Sequence, residues 1–519
     1  MSDGKLYVAC LETSTRYPAS LKTWGSMLII LFIFFTNNLF CQEYKHGNNW
    51  MNLFGTKMNF NYGLQKIQGI DLNLTIEQLY SSSFVSDSNG QLLFGTDGVC
   101  VFSDLHTIIQ GGDSIIDGLM YNEITTNQLG LQPQSSLIIP KKNNQYYVFT
   151  SSISDSMVAA WGSIYGPADR LYYNVIDMDA NNGQGKVIEK RHQLLNMPKY
   201  SNSVPGVTAC RHANGKDWWL FRQMADTFLI SKFLVTADSI YGPYFQSFDL
   251  AGTLPSKLPI GFGQAAFNTN GTKYAVVNEW SQNLYLMDFD RSNGLISNLK
   301  IIQMPSIDTY ASGVVIDSFI EGIAFSPNDR FIYVSKQSTI MQLDLLDTNK
   351  STNLYKKYMV DANKNFYGLL NLILAPDCKI YIGNADIFGE MSVIENPDEK
   401  GAACNICNLC ITSDTDAFIM PNMPNYRLGK LGDALAPCSY PLSNTDLPNP
   451  SKGGALQAYP NPANSILYLA TTSKQKRELY NYTGQLLFTT TENKIDLSKY
   501  PRGLYFVKCG AEVIKVILQ

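Results

Sequence analysis

Charge is scarce in this sequence. Asp, Glu, Lys and Arg make up 16% of 519 residues, and histidine occurs four times. Basic residues do not exceed acidic ones, 40 against 44, for a net charge of -4. A positive field of the kind that neutralises a phosphate backbone is therefore missing, which excludes nucleic acid as a partner. Long hydrophobic runs are missing as well. A membrane-spanning helix takes about 20 apolar residues, and the longest run, MLIILFIFF at Met27 to Phe35, is far shorter. No G-x-S-x-G elbow, H-E-x-x-H helix or phosphate-binding P-loop occurs. Those catalytic frames are excluded, although catalysis as such is not. Helical periodicity is absent throughout.

Hydrophobic residues at 45% and aromatics at 12%, set among many Asn and Ser, favour strands joined by polar turns. The length exceeds the roughly 250–300 residues at which one core stops growing, so a repeat array or several domains is expected. Between Ser81 and Pro397 one pattern recurs six times: an apolar stretch, a polar turn, an aromatic-rich strand, a second turn and a strand ending in acidic residues. The first turns fall at Asn89-Gly90, Asn143-Asn144, Asn214-Gly215, Asn270-Gly271, Asn328-Asp329 and Asp377-Cys378. Asn, Asp and Gly tolerate the positive φ that tight hairpins require. Units of this length with three or four short strands fit the blade of a β-propeller. The fold class expected is all-β, a β-propeller over 47–440 followed by a small C-terminal β-sandwich. Seven blades are expected, with six or eight open. The seventh would combine NNWMNLFG and KMNFNYG near the start with a strand at Met423 to Gly429, closing the ring and removing sheet edges.

Residues 1–41 read as a secretory signal peptide with MLIILFIFF as its apolar region, cleaved after Cys41. A lipid-modified Cys41 is the competing reading, although Asn38-Leu39-Phe40 lacks the small residues that precede such a cysteine. After Cys438, residues 441–457 are rich in Pro and small polar residues and read as an exposed linker. The runs SILYLAT, KRELYNYTGQLLFTT, GLYFVKC and EVIKVILQ then form a module over 458–519, too small for a large core of its own.

Two resemblances attach to these segments. NNWMNLFG, GQLLFGTDGVCVF, SSLIIPKKNNQYYVFT, HANGKDWWL and MPNMPNY resemble a family of secreted propeller proteins of the Bacteroidetes, which brings lineage and architecture but no activity. The tail resembles the type A C-terminal sorting domain of the type IX secretion system. The match is carried by YPNP (Tyr459, Pro460, Asn461, Pro462), by LYNYTGQLL with Gly484, by IDLSKYPRGLYFVK with Gly503, and by a last strand that begins at Lys515. It implies the secretion machinery as a partner, carriage to the cell surface or the medium, and removal of the tail. Cys509 stands where that family often has an apolar residue.

Candidate chemistry is sparse. His212, Asp217, Trp218 and Trp219 in HANGKDWWL could form a ligand-facing loop with an indole as stacking platform. Against this, Asn214-Gly215 is an ordinary hairpin turn and adjacent tryptophans face opposite sides of a strand. Cys404, Cys407 and Cys410, with Cys438 as a fourth thiolate, could hold zinc, but three ligands crowded on one segment without histidine favour disulfides or free thiols. Asp177, Asp179 and Asn181, with Gly183 and Glu189, hint at a calcium loop whose glycine and glutamate fall one residue beyond the expected positions. Asp288, Asp290 and Asn293 recur at the same place in another unit, which favours a repeated turn. No other cofactor and no metal centre is expected. Asp97, Asp113, Glu279 and Glu321 could reach loops at one face of the ring, but no hydrolytic pair can be assigned.

The reading that follows is an exported, non-catalytic propeller that binds an extracellular glycan or protein. A secreted hydrolase acting on polysaccharide or peptide is the alternative. If the tail is an address, the intact chain reaches the surface or medium without Tyr459 onward, and a chain truncated after Ser451 stays in the periplasm. Mass spectrometry of both forms in cells and medium checks this, and equal export of the two sinks it.

Overall fold

A computed structural model describes residues 45–433 and 457–518 apart from short internal stretches, the longer being 67–80, 128–133, 198–205, 249–262, 310–314, 348–353, 359–368, 385–389, 413–419 and 471–475. The leader, Cys438 and the linker lie outside the described residues, as does Glu279.

Seven antiparallel sheets of three or four strands follow one another along the chain, with a two-stranded ribbon, Ile307–Thr309 and Val315–Asp317, between the fifth and the sixth. The first has strands Asn49–Met51, Thr56–Asn59 and Gly63–Lys66, and the second Ser83–Ser86, Leu92–Thr96 and Val101–Ser103. The third runs through Ser136–Pro140, Gln145–Ser152, Arg170–Asp177 and Lys186–Asn196, and the fourth through Val207–Arg211, Trp218–Met224, Leu229–Val235 and Ile240–Ser247. The fifth holds Ala265–Phe267, Lys273–Asn278, Asn283–Asp290 and Leu295–Gln303. The sixth holds Ile320–Phe325, Phe331–Lys336, Thr339–Asp344 and Leu354–Tyr358, and the seventh Leu369–Leu374, Ile380–Asn384, Glu390–Ile394 and Ile406–Thr412. Each sheet is a simple meander in strand order.

The expected hairpin turns form where the sequence places them. Gly90, Asn143, Asn144, Gly215, Gly271, Asp329 and Cys378 all adopt positive φ, between 52° and 81°. At Gly215 a side chain is excluded twice, since φ is +74° and a Cβ would lie 2.8 Å from the backbone nitrogen of Lys430.

Alternation along each strand sends side chains to two neighbouring sheets. From the second sheet to the seventh, each first strand touches the first strand of the next sheet, and the first sheet touches the second in the same way. Shared cores fill the wedges between them. Leu137, Phe149 and Leu171 pack with Val207, Trp218 and Phe233 between the third and fourth sheets. Ala275, Val277 and Leu284 pack with Ile323, Val334 and Met341 between the fifth and sixth. Trp50, Met58 and Phe60 of the first sheet pack with Tyr381, Met391 and Val393 of the seventh. The Trp50 and Tyr381 rings meet edge to face with centroids 5.5 Å apart. This contact joins the two ends of the array, and the domain is a closed β-propeller whose first strands surround a central channel.

The expected strand at Met423 to Gly429 is not formed. Pro421 and Pro424 cannot donate to a ladder, and residues 420–428 contain no strand. The segment instead runs through the channel as a strap. The backbone N–H of Asn422 donates to Ser82 O (2.7 Å), and its side-chain amide donates to Ser136 O and Val207 O, both at 2.8 Å. Tyr426 donates its hydroxyl to Ile138 O (2.8 Å), Asn425 its amide to Thr269 O (3.0 Å), and Arg427 a guanidinium N–H to Pro376 O (3.2 Å). Further on, Leu431 N–H donates to Ala213 O (2.9 Å). One segment therefore bonds to residues in or directly beside five of the seven sheets.

The tail is a sandwich of a three-stranded sheet, Gln457–Tyr459, Ile466–Ala470 and Lys494–Asp496, and a four-stranded one, Arg477–Asn481, Leu486–Thr490, Gly503–Cys509 and Glu512–Leu518. Leu467, Leu479, Ile495, Val507 and Val516 form its core. Cys509 is 3% exposed within it and so occupies an apolar position.

Asn422→Ala strips partners from two buried carbonyls and the Gln134 amide, each loss costing about 1–3 kcal/mol. We expect a loss of about 3 kcal/mol or more, read from the urea midpoint of the whole chain. A loss below about 1 kcal/mol shows that the strap does not brace the ring.

Candidate functional site

The channel retains a cavity of about 140 Å³ beside the strap, bounded by the inner strands of the fourth to seventh sheets and by Gly47 and Trp50. A void of this size holds a single ring-sized group. Its polar lining includes Gln134, Thr208, Gln264, Asn268, Asn425 and Arg427, with Phe267, Phe325 and Tyr426 as aromatic wall. No Asp or Glu is among the lining residues.

Most of that polar lining is already bonded to the frame. Gln134 accepts from Ala265 N–H (2.8 Å) and donates to Ala265 O (3.0 Å) and to Asn422 Oδ1 (3.2 Å). Gln264 accepts from the N–H groups of Ile323 and Leu372, both at 2.9 Å, and donates to Leu372 O at 2.6 Å. Asn268 accepts from Thr272 and Lys273 N–H, each at 2.8 Å. None of Gln134, Gln264 and Asn422 was singled out from sequence. The available signal was the doubled Met-Pro-Asn in MPNMPNY, whose two prolines speak against a strand.

The residues of HANGKDWWL are placed at the hairpin joining Val207–Arg211 to Trp218–Met224. His212 N–H donates to Asp217 O (2.8 Å), and Asp217 Oδ2 accepts from the Asn214 amide (2.6 Å). The His212 ring accepts at Nδ1 from Asn214 N–H (3.0 Å), which assigns its proton to Nε2 facing Ser292 O (3.1 Å). Trp218 and Trp219 are 2% and 6% exposed. Trp218 packs toward the third sheet under the guanidinium of Arg211, 4.5 Å from its ring centroid. Trp219 packs toward the fifth sheet and donates Nε1–H to Arg291 O (2.9 Å). The structure thus brings His212 and Asp217 together in a turn and sends the two indoles into separate cores.

In the acidic loop Asp177 accepts from Asp179 N–H (3.0 Å), Ala180 N–H (3.2 Å) and the Gln145 amide (2.9 Å). Asp179 accepts from the Asn144 amide (2.7 Å), and Glu189 lies 3.4 Å from His192. Asn181 takes a left-handed conformation and Gly183 follows it. In the equivalent turn Asp290 accepts from Ser292 N–H (2.8 Å) and the Asn293 amide (2.7 Å), while Asp288 pairs with Lys273. Among the described residues no group of three metal-ligating side chains occurs. Cys407 and Cys410 are joined by a disulfide, while Cys404 is buried in the core of the seventh sheet.

The candidate carboxylates are dispersed. Asp113 pairs with Lys190 at 3.0 Å, and that ammonium holds it below the usual carboxylate range. Glu321 stands on the first strand of the sixth sheet, where its carbonyl accepts from Gln264 N–H (2.9 Å). Asp97 is 1% exposed after the second strand of the second sheet. Its Oδ1 accepts from Val99 N–H (2.7 Å) and Cys100 N–H (2.6 Å), while its Oδ2 is buried and has no partner among the described residues. Burial dominates and pushes its pKa up to about 6.

In the tail, Tyr459 pairs with Tyr468, Gly503 opens a strand opposite Leu518, and Lys515 stands opposite Phe506. Pro460, Asn461, Pro462 and Gly484 lie outside the described residues. A family model described as "Secretion system C-terminal sorting domain" matches residues 457–518. The chain accordingly carries a type IX sorting domain, engages that secretion machinery and is exported to the cell surface or secreted. Among the described residues no helix is long and apolar enough to cross a membrane.

No curated protein matches the chain. Several solved structures are similar to it. Hydrazine synthase of Kuenenia stuttgartiensis is 10% identical, with 63% of this chain and 80% of that one covered and a TM-score of 0.35. A putative 6-phosphogluconolactonase from Bacteroides fragilis is 11% identical over 62% of this chain and 91% of that one, with a TM-score of 0.31. The β-propeller domain of Cps50 (Swd1) from Myceliophteria thermophila is 9% identical over 75% and 98%, with a TM-score of 0.32. Likenesses at this level bring no activity to this chain.

Asp97 yields a pH dependence. Its folded pKa lies above the ordinary 3.8, so its stabilising contribution is complete below about pH 4 and is lost as pH rises through 6. The stability difference between the protein and Asp97→Asn, which carries no charge at any pH, should fall by about 3 kcal/mol across that window. Urea unfolding at pH 4, 5, 6 and 7 measures it, and a flat difference contradicts the burial argument.

Proposed function

We propose that this exported propeller is a non-catalytic binding protein that takes one ring-sized group of an extracellular polymer, a glycan foremost, into the cavity beside the strap. Each of the seven sheets is read as one blade. The observation that carries the proposal is the character of the lining: amides, hydroxyls, aromatic rings and one guanidinium, that of Arg427, which is bonded to Pro376 O, with no acidic side chain. Hydrolysis of a glycosidic bond ordinarily uses two carboxylates flanking it, whereas recognition of a neutral ring needs an apolar wall and a few fixed polar groups. Because Gln264, Asn268 and Asn425 are held by the frame, the wall is rigid, and little ordering is needed when a ligand enters. The hairpin at His212 to Asp217 serves the frame in this reading, holding Arg211 and the strap in place.

Titration calorimetry against neutral and acidic polysaccharides tests this, with Thr208→Trp as the blocking variant. Thr208 is 8% exposed and lines the cavity, so an indole there fills the space. Affinity should fall at least about ten-fold, equivalent to about 1.4 kcal/mol, with the unfolding midpoint retained. If the indole is not tolerated, Thr208→Leu gives a smaller loss of the same sign. Undiminished binding by a folded variant moves the site elsewhere, and reducing sugar released from the polysaccharide establishes the hydrolase instead.

A further inference from the structure

We propose that the Cys407–Cys410 disulfide is a thiol-exchange site open to low-molecular-weight thiols, not a brace of the fold. This goes beyond the binding function and does not depend on it.

The bridge spans three positions of Ile406–Thr412, the last strand of the seventh sheet. Among the described residues this strand pairs on one side only, with Glu390–Ile394. Val393 faces Cys407 and Met391 faces Ile411, so the ladder advances two residues on one strand and four on the other. Asn408, Leu409 and Cys410 are looped out as a bulge at a sheet edge. The Ser392 side chain braces the bulge, with Leu409 N–H donating to Ser392 Oγ (3.0 Å) and Asn408 Oδ1 3.2 Å from the same oxygen.

Three features make the bridge an exchange site. Cys410 is exposed and Cys407 half-buried, which gives an attacking thiolate access to the sulfur of Cys410. Leu409 sits at φ +49°, a left-handed conformation that a branched, non-glycine residue adopts at a cost. Opening the bridge frees the bulge to relax. A bond that encloses only two intervening residues also restrains little of the unfolded chain compared with a long-range bridge. The other thiols are shielded: Cys100, Cys210, Cys404 and Cys509 are all buried, and Cys404 packs in the core with Tyr333.

The exchange balances without any further oxidant. A small thiolate attacks Cys410 Sγ, the Cys407–Cys410 bond breaks, and Cys407 leaves as a thiolate that takes a proton from water. A second small thiol resolves the mixed disulfide. Two small thiols become one small disulfide while the protein bridge becomes two thiols. Run in reverse, the same steps re-form the bridge.

The full chain is equilibrated at pH 8 in buffers of increasing reduced-to-oxidised glutathione ratio, quenched with acid, alkylated and mapped by peptide mass spectrometry. Expected are alkylation of Cys407 and Cys410, a glutathione adduct on Cys410, and native circular dichroism, with the four buried thiols unlabelled. Reduction that begins only when urea unfolds the chain overturns the proposal, as does labelling of the buried thiols in step with the bridge. Leu409→Asn provides the second arm, because Asn accepts the left-handed region more readily. Its bridge should need a roughly five- to thirty-fold more reducing ratio, and an unchanged or lower ratio overturns the part assigned to the Leu409 backbone.

Discussion

The structure depends on how the inner edge of each sheet is satisfied. A propeller turns the first strand of every meander toward the channel, where one side of its backbone has no neighbouring strand. Buried N–H and C=O groups left in that state cost free energy comparable to a lost hydrogen bond. Here side-chain amides stand in for the missing strand. Gln134 bonds both the N–H and the C=O of Ala265, and Gln264 does the same for Leu372. A primary amide carries a donor and an acceptor side by side, so one glutamine completes one residue of an edge strand. Asn422 extends this across the axis to Ser82, Ser136 and Val207.

This solution constrains where function can reside. The polar groups that would give a funnel its specificity are the same groups that hold the inner strands together, and a ligand competing for them would loosen the ring. What is left for a ligand is the void that the strap does not fill, with a wall whose orientations are fixed in advance. Preorganisation of that kind lowers the ordering cost of binding a matching shape. The candidate carboxylates serve the frame as well: Asp113 pairs with Lys190 and Asp97 is tied into its own turn.

The legible parts of the fold were those whose cause is local. A hairpin needs positive φ at one or two adjacent residues, and Asn-Gly or Asn-Asn announces it without reference to the rest of the chain. Strand alternation is equally local, which is why the opposite destinations of Trp218 and Trp219 could be read from their adjacency. The strap could not be read this way. Tyr426 finds Ile138 across 288 positions and Gln134 finds Ala265 across 131, and nothing near either residue marks it as a long-range brace. A run holding Met, Tyr and Leu carried enough β-propensity to suggest a strand, and Pro424 within it and Pro421 just before it were the contrary signal. The disulfide lay between these cases: the spacing of Cys407 and Cys410 allowed it, but the bulge that exposes it depends on the register of the neighbouring strand.

The tail solves its edge problem in another way, and this bears on how an address is built from about sixty residues. Its last strand, Glu512–Leu518, pairs with Gly503–Cys509 on one side, and Leu518 makes a parallel bridge to Ala463, the residue directly after YPNP. The motif that opens the domain and the strand that ends the chain are thus neighbours in space. Segments that look like separate signals along the sequence belong to one small sandwich, where Ala463, Leu467, Val507 and Leu518 share a core. A domain this size has little free energy to spare, so shortening the chain by even its final strand removes both a sheet edge and part of that core. The address is therefore a folded object and not a linear tag, which is why its recognisable residues are spread from Tyr459 to Lys515 instead of being gathered at one end.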